Sequence, residues 1–201
     1  MSEREVTSDE QLVVLARSGD TEAFDELVIK YSPKLYGLVY HMTSNREDAY
    51  DLLQDIFTKS YRSLKKFRGE SSFYTWIYTI ATNMTLNFLK KRKRRSTWSL
   101  DVIDSGLQND QAMIDMSHIA NPRHQSEVNE LQKRLNEAMQ ALSEAHRVVV
   151  TMHDIQGIAH GQIGDILKVS EGTVRSRLFY AHRQLQGYLQ DFIDPRPDLK
   201  K

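Results

Sequence analysis

Between Ser71 and Arg95 the chain reads SSFYTWIYTIATNMTLNFLKKRKRR, with hydrogen-bonding side chains at helical intervals beside aromatic ones. Thr79, Asn83, Asn87 and Lys90 fall along one edge of a helix, and six consecutive basic residues, Lys90 to Arg95, close it. Phe73, Trp76, Ile77, Ile80, Ala81, Met84 and Phe88 share an apolar face at the same spacing. This grouping suits an unstacked nucleic-acid strand. Aromatic and apolar pockets take bases, amides read their edges, and cations hold phosphate. The same residues would also make an amphipathic core helix with a solvated basic tail.

A second group lies in AHGQIGDILKVSEGTVRSRLFYAHRQLQGYL, residues 159–189. Ile163, Ile166 and Leu167 mark a short helix, and Lys168 and Val169 a tight turn. Ser170 caps a long helix with Val174, Leu178, Ala181, Leu185 and Leu189 inward. Val169 and Val174 occupy the two positions of a hydrophobic staple around that cap. Short helix, turn and long helix make a helix-turn-helix. Thr173, Arg175, Ser176, Arg177, Phe179, Tyr180 and Arg183 point outward in varying degree. Arg bonds guanine edges or phosphate, Thr and Ser bond either, and rings pack on a thymine methyl. Gly172 leaves the N–H groups of the helix start open to a phosphate. Glu171 favours the helix dipole there but would repel a phosphate set too close.

A third group is acidic. Asp48, Asp51 and Asp55 share one helical face with Gln54 beside them, while Leu53, Ile56, Phe57, Leu64 and Phe67 face inward. The face is either solvated or a docking surface for a basic or polar partner helix. Catalytic chemistry finds no support. The seven His (41, 118, 124, 146, 153, 160, 182) form no HExxH or comparable set, no P-loop is present, and cysteine is absent. We therefore expect no catalytic residues, no metal and no cofactor.

The elements that hold these groups follow from pattern. Hydrophobic residues make up 40% of the 201, enough for real cores, and alternating segments do not stand out. The expectation is an all-α chain of two small helical domains joined by a flexible linker. No run is long enough for a membrane span and no signal peptide opens the chain, which points to the cytoplasm. The 27 basic and 27 acidic residues balance. A neutral chain with segregated charge should bind DNA weakly alone and better when a partner supplies most contacts.

In order, Thr7 with Glu10 has capping-box spacing, which starts a helix near Ser8 or Asp9. Gly19 stops it and Asp20 caps the next, which Pro33 should kink or break. Ser44 with Glu47 is a second capping box, and Gly69 ends the helix that follows. Residues 1–95 form the first domain. Ser96 to Ser126 shows no sustained helical period and reads as an acidic linker. It keeps Trp98, Leu100, Ile103, Met113 and Ile114 among Asp101, Asp104, Asp110 and Asp115. Residues 127–194 form the second domain and 195–201 a tail. Gly161 weakens its short helix by about 1 kcal/mol against Ala.

DAYDLLQDIF (48–57), FRGESSFYTWIYTIATN (67–83) and SEGTVRSRLFYAHRQL (170–185) stand in the order seen in the extracytoplasmic-function, sigma-E-like sigma factors of bacterial RNA polymerase, which the chain resembles over nearly its whole length. The resemblance implies a first domain that docks on the polymerase clamp helices and opens the −10 element. It implies a second domain, near the polymerase flap, that reads the −35 element. By it, Asp48, Asp51, Gln54 and Asp55 fall on clamp contacts. Arg68, Ser71, Ser72, Phe73, Tyr74 and Trp76 fall in or beside a loop that captures a flipped −10 base, followed by Asn83 on the strand. Thr173, Arg175, Ser176 and Phe179 fall on −35 contacts. His153 and Tyr180 depart from the Arg common in relatives, and Lys168 from the usual small turn residue. The linker is implied to thread toward the RNA exit path, its apolar residues on polymerase and its carboxylates toward a basic channel. Core polymerase, promoter DNA and an anti-sigma factor are the implied partners. The alternative is a helix-turn-helix regulator with an unrelated helical sensor domain, binding DNA without polymerase.

Overall fold

The computed structural model describes residues 8–98 and 122–193. All of their regular structure is helical. Helices α1 (Asp9–Ser18), α2 (Thr21–Thr43), α3 (Arg46–Leu64) and α4 (Phe73–Trp98) build a first module. Helices α5 (Pro122–Ala141), α6 (Glu144–Val150), α7 (His160–Leu167) and α8 (Glu171–Ile193) build a second, with a wide π-turn at Thr151–Ile155. The linker residues Leu100 to Asp115 lie outside the described residues.

Two caps of the first module, those of α1 and α3, sit one residue away from expectation. Ser8, not Thr7, opens α1, accepting from the Gln11 N–H while the Gln11 side chain accepts from Ser8. An amide acceptor at that position serves as well as Glu, and this start turns Leu12, Val13 and Ala16 inward. Asp20 caps α2 at Ala23 as expected. Between α2 and α3, Asn45 supplies the cap, accepting from the Asp48 N–H at 2.8 Å. Ser44 is unavailable for that role, because it closes α2 in the left-handed region at φ 53°.

Pro33 does not break α2, which runs on to Thr43. The carbonyl that a proline deprives of its donor lies four residues back, at Ile29. That residue is 74% exposed, so water can replace the bond. α3 ends at Leu64, before Gly69, and Phe67 folds back onto Phe73 and Trp76. Gly69 instead turns the loop at φ 75°. The linker region is helical at both ends, since α4 continues to Trp98 and α5 starts at Pro122. A proline at the first helical position lacks only an N–H that had no partner anyway, and the basic run suits the C-terminal end of α4.

α4 buries a stripe that only partly coincides with the one its apolar residues mark. Phe73, Ile77, Tyr78, Ala81, Thr82, Thr85 and Leu89 are buried, whereas Trp76, Ile80, Met84 and Phe88 flank them half-buried. The reason is two-sided packing: α2 and α3 cover one side of α4 and α7 covers another. The Thr85 hydroxyl returns to the Ala81 carbonyl, whereas that of Thr82 is buried without a hydrogen-bond partner.

In the second module Val148, Val149, Met152, Ile163, Ile166, Val174, Leu178 and Ala181 share the core. Ser143 caps α6, Gly157 turns the chain at φ 68°, and Ser170 caps α8 at Thr173. Lys168 makes the turn before α8 in the left-handed region, at φ 57°. The turn also needs Gly164, where a Cβ would stand 2.9 Å from the Val169 carbonyl oxygen. At Gly161 the nearest atom is the end of the Glu171 side chain at 3.7 Å. Gly161→Ala should therefore stabilise the chain by up to about 1 kcal/mol through helix propensity. Gly164→Ala should cost about 1–3 kcal/mol, because backbone must move. Thermal melts of the two variants should shift in opposite directions.

Candidate nucleic-acid interface

Ser72 starts α4, accepting from the Thr75 N–H at 3.1 Å. The loop before it leaves Arg68 and Ser71 exposed, with Arg68 only 3.8 Å from the Glu70 carboxylate. Phe73 does not join this surface. It is 4% exposed and packs edge-on to Tyr31 and Phe67, so its expected contact with a strand gives way to a core role that fixes the loop. Trp76 is half-buried beside Phe67 and Phe73. Tyr74 stacks on Tyr78 at 4.4 Å between ring centres.

The polar edge is open at one end and closed at the other. Asn83, Asn87 and Lys90 are exposed. Thr79 is half-buried and its hydroxyl lies 2.8 Å from the Thr75 carbonyl and 3.3 Å from that of Ile166. The neighbouring Tyr78 is fully buried, and burial raises its phenol well above the ordinary tyrosine range. It is thus a fixed donor, reaching the Gln156 side-chain oxygen at 3.4 Å. Within the basic run, Arg92 is structural: it donates to the Thr43 carbonyl and to Asp48 at 3.0 Å.

That pairing divides the acidic face. Asp48 is drawn to α4, while Asp51, Gln54 and Asp55 stay exposed along α3. Gln54 also borders an open groove of about 540 Å³, floored by Phe24, Val28, Phe57 and Tyr61.

On α8, Gly172, Arg175, Ser176, Phe179, Tyr180 and Arg183 are exposed, and Thr173 and Arg177 are half-buried. The Thr173 hydroxyl meets that of Ser170 at 2.8 Å, and Ser176 returns a bond to the Thr173 carbonyl. Phe179 and Tyr180 stand edge to face at 5.4 Å. Arg175 is paired one turn back with Glu171. This exposed pair is cheap to break, so a DNA acceptor can take the guanidinium. His153 stacks on His160 at 4.3 Å and bonds the Ile158 carbonyl, so its ring is held within the module. Among the described residues no three His, Cys, Asp or Glu side chains converge as metal ligands would.

Sequence reasoning passed over Arg147, Gln140 and Gln156. Arg147 is 6% exposed and donates to the carbonyls of Met139, Gln140, Leu142 and Met42 and to the Gln140 side chain. Its signal was present: a lone cation directly before three valines on a capped helix.

Comparison with known proteins agrees with this layout. The family described as Sigma-70 region 2 matches residues 27–95, and Sigma-70, region 4 matches residues 138–187. RNA polymerase sigma-H factor of Pseudomonas aeruginosa is 35% identical over 187 residues, 92% of this chain and 95% of that protein. ECF RNA polymerase sigma-E factor of Escherichia coli K12 is 34% identical over 190 residues, 94% of this chain and 98% of that protein. Among solved structures, the sigma factor RpoE of Bartonella quintana with the anti-sigma factor NepR superposes with TM-score 0.65 at 22% identity, covering 83% of this chain and 96% of that one. CnrH with the cytosolic domain of CnrY gives 0.64 at 20% identity, covering 90% and 97%. At those identities the likeness is one of fold.

Proposed function

The chain belongs to the extracytoplasmic-function sigma factors, and from that membership we propose how its surfaces divide the work. As a sigma factor it binds core RNA polymerase and directs initiation at promoters. An unrelated sensor domain is set aside, because residues 27–95 match region 2. In our reading the chain is no enzyme by itself and works in the cytoplasm; polymerase supplies the catalysis. Among the described residues no helix is long and apolar enough to cross a membrane.

The observation that carries the division is the opposite character of two exposed surfaces on one module. Asp51, Gln54 and Asp55 offer carboxylates and an amide along α3, fit for a basic clamp helix. Asn83, Asn87 and Lys90 offer amides and an ammonium along α4, fit for an opened strand, with Arg68, Ser71, Ser72, Tyr74 and Trp76 at its entrance. Opening DNA costs a few kcal/mol per unstacked base, so this edge must hold the single strand better than the duplex. The exposed side of α8 reads the −35 element in the major groove. One structure of like fold holds the sigma factor RpoE with the anti-sigma factor NepR; a comparable anti-sigma partner fits this chain.

The test is transcription by core polymerase plus this chain on randomised templates. Enriched templates should share two elements at fixed spacing, and a pool without them would count against the reading. Two variants should separate the surfaces. Arg175→Ala should relax the upstream element at one position and cost about 1–3 kcal/mol if the contact is to a base, or weaken all templates alike if it is to phosphate. Unchanged upstream selectivity and affinity would remove Arg175 from the interface. Asn83→Ala should slow opening, seen as fewer permanganate-reactive thymines, and should be rescued on pre-opened template. An equal defect there would refute the strand role.

A further inference from the structure

Helix α1 lies outside the residues 27–95 that match region 2, yet it packs on α2, α3 and α4. Its capping box fixes Asp9 in the first turn, where a carboxylate suits the positive end of the helix dipole. There the two carboxylate oxygens are divided. One meets the Lys30 ammonium at 2.6 Å, and the other accepts from the Tyr31 hydroxyl.

Tyr31 is 3% exposed, so its hydroxyl needs a partner within the protein. Burial, and then the bond to Asp9, raises the phenol well above the ordinary tyrosine range, which keeps it a donor. Its ring stands edge-on to Phe73 at 5.5 Å between centres and tilted to Tyr74 at 6.1 Å. From Phe73 the contacts continue to Trp76 at 5.6 Å, and Phe67 joins both, at 6.3 Å and 5.0 Å. Tyr74 in turn stacks on Tyr78. A ring has a positive edge and a negative face, so each contact of this kind constrains the orientation of the next ring. Phe67 and Phe73 flank the loop 68–72 in the chain. Both ends of that loop therefore rest on rings whose far end is tied to α1.

We propose that Asp9 is a positioning residue for the opened strand: through the Tyr31 hydroxyl it sets the ring cluster that carries Tyr74, Trp76 and the loop 68–72. With the hydroxyl held, the Tyr31 ring cannot tilt, and Phe73 and Tyr74 close on it as α4 begins. Without that bond the rings stay buried but lose a common orientation, and the loop they carry presents Arg68 and Ser71 in several poses instead of one. The inference rests on the sigma-factor reading for its consequence in transcription, while the ring arrangement is a property of the free chain.

The test uses the full chain in three variants. Tyr31→Phe removes only the hydroxyl, Asp9→Leu removes the acceptor, and Asp9→Asn keeps an acceptor oxygen. Placed in a Trp98→Phe background, each leaves Trp76 as the sole tryptophan. In the free chain, Tyr31→Phe and Asp9→Leu should change Trp76 emission and raise its quenching by acrylamide at unchanged helicity, and Asp9→Asn should stay near wild type. In holoenzyme the probe is a labelled single-stranded oligonucleotide carrying the downstream element enriched from randomised templates, against a scrambled one. Tyr31→Phe and Asp9→Leu should lose several-fold in preference between the two strands while polymerase affinity stays the same, and Asp9→Asn should recover most of that preference. Unchanged Trp76 signals and strand preference in both would overturn the proposal. So would an Asp9→Asn variant as defective as Asp9→Leu, or an equal loss for polymerase and for both oligonucleotides, which would mark a general loss of structure. A wild-type holoenzyme that binds both strands alike would count against the sigma-factor reading, with the Trp76 signal still deciding whether Asp9 sets the rings.

Discussion

Arg147→Ala is expected to cost about 3–5 kcal/mol, the largest single loss of stability in the chain. The guanidinium closes the end of α5 through the carbonyls of Met139, Gln140 and Leu142, and the end of α2 through Met42. Burial pushes its pKa down from the ordinary arginine value, so the charge depends on these acceptors for its solvation. Hydrogen bonds to a charged group are worth about 1.5–3 kcal/mol each and do not add fully. Removal takes this donor from the carbonyls of Met42, Gln140 and Leu142, while that of Met139 keeps the Leu142 N–H at 3.2 Å. Arg147→Lys keeps a charge but loses the planar fork, so it should fall between wild type and Ala. Both tryptophans, Trp76 and Trp98, lie on α4, so their fluorescence follows the first module. Helicity by circular dichroism follows both. In urea the variant should lose an early helical phase while the tryptophan transition moves less. Two unchanged, coincident curves would contradict the role given to Arg147.

Asp51→Arg with Asp55→Arg should abolish holoenzyme formation and leave the free chain folded. The two carboxylates are one turn apart on α3 and exposed, and surface substitutions of that kind usually change stability within about 0.5 kcal/mol. Like charges brought together at an interface cost several kcal/mol, which at about 1.4 kcal/mol per decade is at least a hundredfold in affinity. Asp48→Arg serves as the contrast, because it would also break the pair with Arg92 and loosen α4. Fluorescence anisotropy of labelled chain against core polymerase gives the affinity. Normal assembly by the double variant would dismiss the docking role, and a loss of helicity would dismiss the claim that these residues only face outward.

The helices and their order were legible because each carries local signals, such as Asp20, Gly19, Ser143 and Ser170 at their ends. The errors came where neighbouring signals compete. Ser44 and Asn45 both cap well, and the choice fell to Asn45 because Ser44 was already needed to end α2. The buried stripe of α4 could not be read from apolar residues, since a helix covered on two sides buries threonine and tyrosine along with them. Phe73 stands beside the exposed loop residues Arg68 and Ser71, but ring packing decides that it faces the core. Arg147 and Gln156 act across sequence separations of more than a hundred residues, on backbone carbonyls of Met42 and Lys34. A carbonyl leaves no mark in a sequence, because every residue has one.

The wide turn at Thr151–Ile155 also bears on how insertions and deletions act in such a chain. Its bonds skip further than an α-helix allows: the Gln156 N–H reaches the Thr151 carbonyl, five residues back. A π-turn of this kind takes in one extra residue within an otherwise α-helical path. If the same residues wound at 3.6 per turn, all that follows would rotate by roughly 100°, and Gln156 would point away from Lys34 and Tyr78. A relative one residue shorter between Val150 and Gly157 could keep the downstream directions with an ordinary turn. A one-residue gap there would be silent for the placement of α7 and α8, while an uncompensated shift in winding would carry both away from the first module.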